Sequence, residues 1–170
     1  MPTSPSVLNY FIGKGTLSFT PSGGSARALG NAPTFEVVPT IEKLDHFSSM
    51  EGIKSKDRSV TVSVSGTVNI VLDEITKENL AMALFGDPEE NSAGDNAFDI
   101  LGTEEIEGSL TFVGTNSVGN KFTVVVNSVS FTPSAGFNFI SEEFGEISLT
   151  GEMAKVNGSF GTVTKTADAS

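Results

Sequence analysis

The residues that could do chemistry in this sequence are few. There is one histidine, His46, in the stretch "LDHFSSMEG". A Ser-His-Asp relay needs that imidazole beside an activated hydroxyl, yet no nucleophile-elbow motif occurs, and a lone loop histidine reads as a solvated or interface residue. Adjacent acids stand at Glu89/Glu90, Glu104/Glu105 and Glu142/Glu143. Glycoside cleavage or calcium binding needs carboxylates that converge, whereas neighbours in an extended chain point apart. "DPEENSAGDNAFD" (87–99) offers oxygen ligands but not the D-x-[DN]-x-[DN]-G spacing of a calcium loop. "GKG" (13–15) has no helix after it and so no phosphate cradle. "NGS" (157–159) fits a glycosylation acceptor, but a two-residue hairpin turn explains it better. The expectation is a protein that is not an enzyme, with no catalytic residue, no cofactor-binding residue and no metal ligand.

Composition points the same way. The 170 residues suffice for one domain with a core. The absence of cysteine excludes disulfides and thiolate metal sites and suits a reducing cytoplasm. The start "MPTSPSVLNY" has no basic residue or apolar run and reads as no secretory signal, and no apolar run is long enough for a membrane span. Thirteen Phe stand against one Tyr and no Trp. Such usage suits a core, or buried contacts between copies, more than a sugar-binding platform. The net charge of −11 is concentrated in residues 73–107, which hold eleven acids and one base, Lys77. That is no basic footprint for gripping nucleic acid, and an acid-rich segment reads first as a solvated loop.

The elements follow from periodicity. A polar arm, 1–9, and a tail, 166–170, are expected to be flexible. "GTLSFTP" (15–21) is a strand, 22–33 a loop, and "TFEVVPTIEKL" (34–44) a strand whose Pro39 marks an edge or bulge. "DHFSSMEGIKSKD" (45–57) reads as a long polar connection. Then Val60, Val62, Val64, Val68, Ile70 and Leu72 alternate with Thr61, Ser63, Ser65, Thr67 and Asn69, which predicts a long half-buried strand with a bend or bulge at Gly66. Lys54, Lys56 and Arg58 alternate at its mouth, as a charged edge guard or as a basic patch for another copy's acids.

A short helix follows, with Thr76 as N-cap, Gly86 as left-handed cap, and Leu80, Ala83 and Leu84 as the stripe packed on the sheet. Residues 87–106 read as a long acidic loop. "EGSLTFVGT" and "NKFTVVVNSVSFTP" pair across "NSVG", with a phase change near Asn127 that implies a bulge or twist. "FGEISLTGEMA", the Asn157-Gly158 turn and "SFGTVTK" complete the chain. The whole reads as one all-β domain over 1–170, a β-sandwich or barrel with one flanking α-helix and a long hairpin loop.

The run "LDHFSSMEGIKSKDRSVTVSVSGTVNIVLDEITKENLAMALFG" resembles the corresponding region of the major tail tube proteins of long-tailed (siphovirus-type) bacteriophages. In that family a D-H-F-S-S-x-E-G loop precedes a long alternating strand and a D-E-I-T-x-E-N-L-A-x-A-L-x-G helix. The resemblance covers residues 43–86; elsewhere only β character and length agree. It implies a structural virion protein, assembled in the host cytoplasm and found in the virion tail. Six subunits would close a ring, and rings would stack into a tube around a tape-measure protein. Tail terminator and tail-tip proteins would be further partners, and DNA would pass the lumen transiently, without specific binding and with no membrane involved.

On that resemblance His46, Phe47, Met50, Glu51, Ile53, Lys54 and Lys56 are expected to join rings. Thr61, Ser63, Ser65, Thr67 and Asn69 become the lumen face. Leu8, Tyr10 and Phe11 are the candidate anchors of the arm on a neighbour. The alternatives are a monomeric β-sandwich binding module of adhesin or carbohydrate-binding type, which the missing Trp and Tyr platforms disfavour, and a hydrolase, for which no site is recognisable.

Overall fold

The computed structural model describes residues 5–50, 52–88 and 96–166. After a single 3-10 turn, Val7–Asn9, eight strands and one helix follow: β1 Gly15–Pro21, β2 Arg27–Ala28, β3 Thr34–Ser48, β4 Ser55–Leu72, α1 Lys77–Leu84, β5 Ile106–Gly114, β6 Lys121–Thr132, β7 Ile147–Met153 and β8 Gly161–Thr166. All pairings are antiparallel, in the order β2-β1-β5-β6-β7-β4-β3, with β8 also on β6. The protein is all-β with one short helix, as its alternating strands predict.

The sheet curls so that its two halves share a core. Leu17 and Phe19 of β1, Leu110 of β5, Val126, Val129 and Phe131 of β6 meet Val68, Ile70 and Leu72 of β4 and Ile147 and Leu149 of β7. Phe19 meets Phe131 edge-on at 5.6 Å, and Phe35 of β3 stacks on Phe112 of β5 at 5.6 Å. β3 and β5 are far apart in the sheet order, so the second contact measures the curl directly. Burying these side chains removes apolar area from water at ~25 cal/mol per Å².

The phase change in β6 is a bulge: the register against β5 shifts between Gly108 and Leu110, where β6 passes from Val129 to Val126. There β6 also changes neighbours, from β8 over 121–126 to β7 over 129–132. Asn127 covers the switch by donating Nδ2 to the Ser159 carbonyl at 3.2 Å. Asn157 and Gly158 both have positive φ, 51° and 83°, as the expected tight hairpin turn requires.

Several expectations change. The connection 45–57 is mostly strand: β3 runs to Ser48 and β4 begins at Ser55. The sequence hides this because charges and hydroxyls on an edge ribbon look like loop residues. The pair β1/β2 interrupts what reads as one loop, 22–33. Gly66 sits in regular register with Pro39, and the bulges lie further out, at Glu42/Lys43 and His46/Phe47. Gly66 serves packing: a Cβ there would stand 2.8 Å from Met153 Sδ.

The helix is capped as expected at its start, Thr76 accepting from the Asn79 amide at 3.2 Å. Its left-handed cap is Phe85, at φ 52°, rather than Gly86. Gly86 is needed because a Cβ would strike Phe98. The buried side of α1 is Asn79, Ala81 and Met82 with Phe85 beyond, while Leu80 and Ala83 pack half-buried at the core's margin and Leu84 is half-buried outside that cluster.

Candidate interaction surface

β4 explains why a surface exists. β7 pairs with it only from Thr67 to Leu72, so residues 55–66 have β3 alone as a neighbour. At ~3.3 Å per residue this is a two-stranded ribbon reaching roughly 40 Å past the body. Its two faces differ because alternation continues where the cover stops.

One face prolongs the core. Phe35, Val37 and Ile41 of β3 stand opposite Ile70, Val68 and Val64 of β4, while Leu44 and Val60, paired beyond the bulge at Glu42/Lys43, fall on the other face. Val68 and Ile70 are buried, but Val60, Val62, Val64, Ile41 and Leu44 are exposed, Val62 by 59%. The expectation of one half-buried strand therefore holds only for residues 66–72. Further out the same pattern faces water.

The other face is a polar ladder. Ser63 Oγ donates to Glu42 at 2.8 Å and Asn69 Nδ2 to Glu36 at 3.2 Å, while Asn69 Oδ1 accepts from Thr150 at 3.2 Å; past the bulge, on the opposite face, Ser59 Oγ donates to Asp45 at 2.6 Å. Ser65 and Thr67 complete the row, opposite Thr40 and Val38, whereas Thr61, opposite Lys43, lies past the bulge where β4 skips Val62 and its alternation changes face. Four of the five hydroxyl and amide residues singled out by alternation, Ser63, Ser65, Thr67 and Asn69, share a face, Thr61 being turned from it by the bulge, and β3 adds the carboxylates Glu36 and Glu42 to that face. Sequence reasoning missed these carboxylates because it treated the two strands separately. The pairing register would have found them.

At the tip, Phe47, Met50 and Ile53 are exposed, Met50 by 94%. The charges around them pair within the chain. His46 Nδ1 lies 2.6 Å from Asp57, and Lys56 Nζ lies 2.8 Å from Asp45. The Lys56 hydrogen bond, helped by Ser59, holds the Asp45 carboxyl below its ordinary range. Lys54 is exposed, and Glu51 lies outside the described residues. Of the basic row at the mouth of β4, Lys56 is thus committed to its own ribbon.

The arm sits differently from expectation. Leu8 and Tyr10 are exposed, but Phe11 already meets Phe122 edge-on at 5.7 Å in the same chain. A turn of its partner hairpin fits against it: a Cβ at Gly119 would strike the Tyr10 carbonyl. Asn116, buried under that turn, donates to the Val118, Gly119 and Asn120 carbonyls.

Three of the acids of residues 73–107, Asp73, Glu74 and Glu107, hold loops to the body. Asn31 donates its backbone amide to Glu74 at 3.0 Å and its side chain to Asp73 at 2.7 Å. Ser128 donates to Glu107 at 2.7 Å. Arg27 donates to buried Asn79 at 2.7 Å. Burial lowers the Arg27 pKa and nearby Glu78 opposes the shift; a guanidinium stays charged regardless. The candidate calcium stretch, 87–99, falls largely on residues 89–95, outside the described ones. Among the described residues no group of three or more acids or histidines is placed to hold a metal, and no helix is long and apolar enough to cross a membrane.

A family model described as a protein of unknown function, UCP028589, matches residues 10–110. The chain belongs to that family, and the match spans β1 to β5 with the whole ribbon. No curated protein matches the chain.

Proposed function

We propose that this chain is a structural subunit that polymerises with copies of itself into stacked rings forming a hollow tube, the tail tube of a long-tailed bacteriophage. One observation carries the reading: a ribbon that leaves the body with exposed apolar residues continuing from the core and, as far as the bulge at Glu42/Lys43, an opposite face of hydroxyls and carboxylates. A soluble monomer seldom leaves a contiguous apolar strip and a long strand edge open. Copies arranged around an axis cover both. The acidic face then lines the lumen, where it keeps phosphate from adhering while DNA passes. The exposed tip, with Phe47, Met50 and Ile53, reaches the next ring. On the resemblance the ring has six subunits, the tube encloses a tape-measure protein, and terminator and tip proteins close its ends.

Negative-stain microscopy with sedimentation velocity on the purified chain tests this. Rings or tubes of uniform width support it. A single monomeric species at every concentration and salt refutes it.

A further inference from the structure

A second exposed apolar feature lies outside the ribbon. The loop between β6 and β7, residues 133–146, carries Phe139, Ile140 and Phe144 at its surface, 68%, 89% and 98% exposed. The loop is held in shape. Phe139 meets the half-buried Phe137 edge-on at 4.8 Å. The Ile140 amide donates to Asn138 Oδ1 at 3.1 Å, and the Glu143 amide to Ser141 Oγ at 3.0 Å. Glu142 and Glu143 stand between Ile140 and Phe144. A fixed loop with three large apolar groups in water is an anchor without its pocket.

A pocket of matching character exists on the same protein. Between the start of β3 and the β6/β8 pair the sheet stays open, leaving a groove of about 460 Å³. Its walls include Phe11, Phe35, Phe112, Phe122 and Val163, and Lys14 is its one charged lining residue. Lys165 stands beside it, in register with Phe122 across β8. A cavity of this size takes one or two large side chains. None of the three loop residues lines it.

We propose that the β6–β7 loop of one copy docks into this groove of a second copy. Phe139, Ile140 and Phe144 supply the apolar plug, and Glu142 and Glu143 face Lys14 and Lys165. The apolar loop matches the apolar walls, and the acidic flank matches a basic rim. Charge complementarity of this kind favours one register over others. Because loop and groove are different surfaces, the contact is heterologous, and repetition gives a closed ring or an open filament. This inference rests on the homopolymer reading, but it names a contact that the ribbon does not supply.

The chain has no cysteine, which makes a directed cross-link clean. Ile140→Cys is made in a chain with a mass tag and Val163→Cys in an untagged chain. The two are mixed under assembly conditions and oxidised mildly. The expected product is a disulfide-linked pair of tagged and untagged chains, absent when Ser22→Cys replaces Val163→Cys. Separately, Lys14→Glu and the double change Glu142→Lys/Glu143→Lys each raise the concentration at which assembly begins by about tenfold, and together they restore it. Wild-type assemblies without the mixed cross-link overturn this contact and leave the homopolymer standing. A wild-type chain that never associates overturns both.

Discussion

The sharpest consequence of the ribbon is that one strand should obey two rules. Val64 and Val68 lie on the same face of β4, yet Val64 is 48% exposed and Val68 is 0% exposed. Consider Val60→Thr, Val62→Thr and Val64→Thr together. Threonine keeps the β-branch and the strand preference and changes little but a methyl to a hydroxyl. In the isolated chain these positions already face water, so the melting temperature should hardly move. In the assembly each valine loses its remaining exposure, and the substitution forfeits ~1 kcal/mol of apolar burial per site. Three sites make ~3 kcal/mol per contact, which raises the critical concentration about a hundredfold. Val68→Thr should do the reverse. It buries a hydroxyl without a partner, costs ~2 kcal/mol, and lowers the melting temperature by roughly 4–8 °C in a chain of this length. Calorimetry below the assembly threshold and light scattering above it separate the two effects. A triple variant that melts as Val68→Thr does, or that assembles like wild type, would show that the apolar face has its cover within one chain.

Other outcomes follow from single contacts. Replacing residues 49–54 by Asn-Gly should keep the ribbon, as circular dichroism would record, but abolish elongation into tubes, since Met50 and Ile53 leave with the loop; normal tubes would exclude the tip from ring stacking. Asn79→Ala removes a buried side chain that bonds the Leu29 and Glu74 carbonyls and accepts from Arg27; orphaning those groups should cost ~2–4 kcal/mol by denaturant titration, and a loss under 1 kcal/mol would deny the network its role. The Asp45 carboxyl should titrate below the usual aspartate range by NMR, and Lys56→Met should raise it. Because its folded pKa is the depressed one, its contribution to ribbon order is full above the unfolded value and fades as pH falls through the folded value; an unchanged titration in Lys56→Met would assign the shift to another group. Gly66→Val should destabilise through Met153, whose Sδ lies 2.8 Å from the added Cβ, and Met153→Ala should recover part of the loss.

Where the sequence was legible, one element spoke for itself. Thr76 begins a helix because its side chain reaches the Asn79 amide, a bond fixed by local spacing. Asn157-Gly158 turns the chain because both residues tolerate positive φ. The bulge at Asn127 shows in the change of apolar phase. Illegible features depended on a neighbour strand. Gly66 reads as a bend until β7 brings Met153 across it. Gly86 reads as a helix cap, but Phe98 returns to occupy the space a side chain would need, and Phe85 takes the strained conformation. The stripe Leu80, Ala83, Leu84 is a reasonable periodic choice, yet the helix rolls to place Asn79 under Arg27 and the Leu29 carbonyl. The length of the ribbon was hidden for the same reason: whether Val62 is covered depends on where β7 ends, and nothing near Val62 states that.

Charge gives the last case. By count, the acids of 73–107 dominate the chain, and the remainder is close to neutral. By position, Asp73, Glu74 and Glu107 are engaged by Asn31 and Ser128 and hold loops to the body. The two carboxylates that share the hydroxyl face of the ribbon, Glu36 and Glu42, come from the nearly neutral part. Each is bonded to an asparagine or serine of β4 and so is held on the face. Under the proposed assembly every subunit contributes the same two charges to the lumen, and a ring repeats them around its axis. Such fixed like charge repels phosphate most strongly at low salt, because salt screens exposed charges beyond about 8–10 Å. Glu36→Gln and Glu42→Gln together should leave tubes intact in micrographs yet let them retain DNA at low salt. Tubes of this variant that retain no more DNA than wild type would mean that the acidic face is turned away from the lumen.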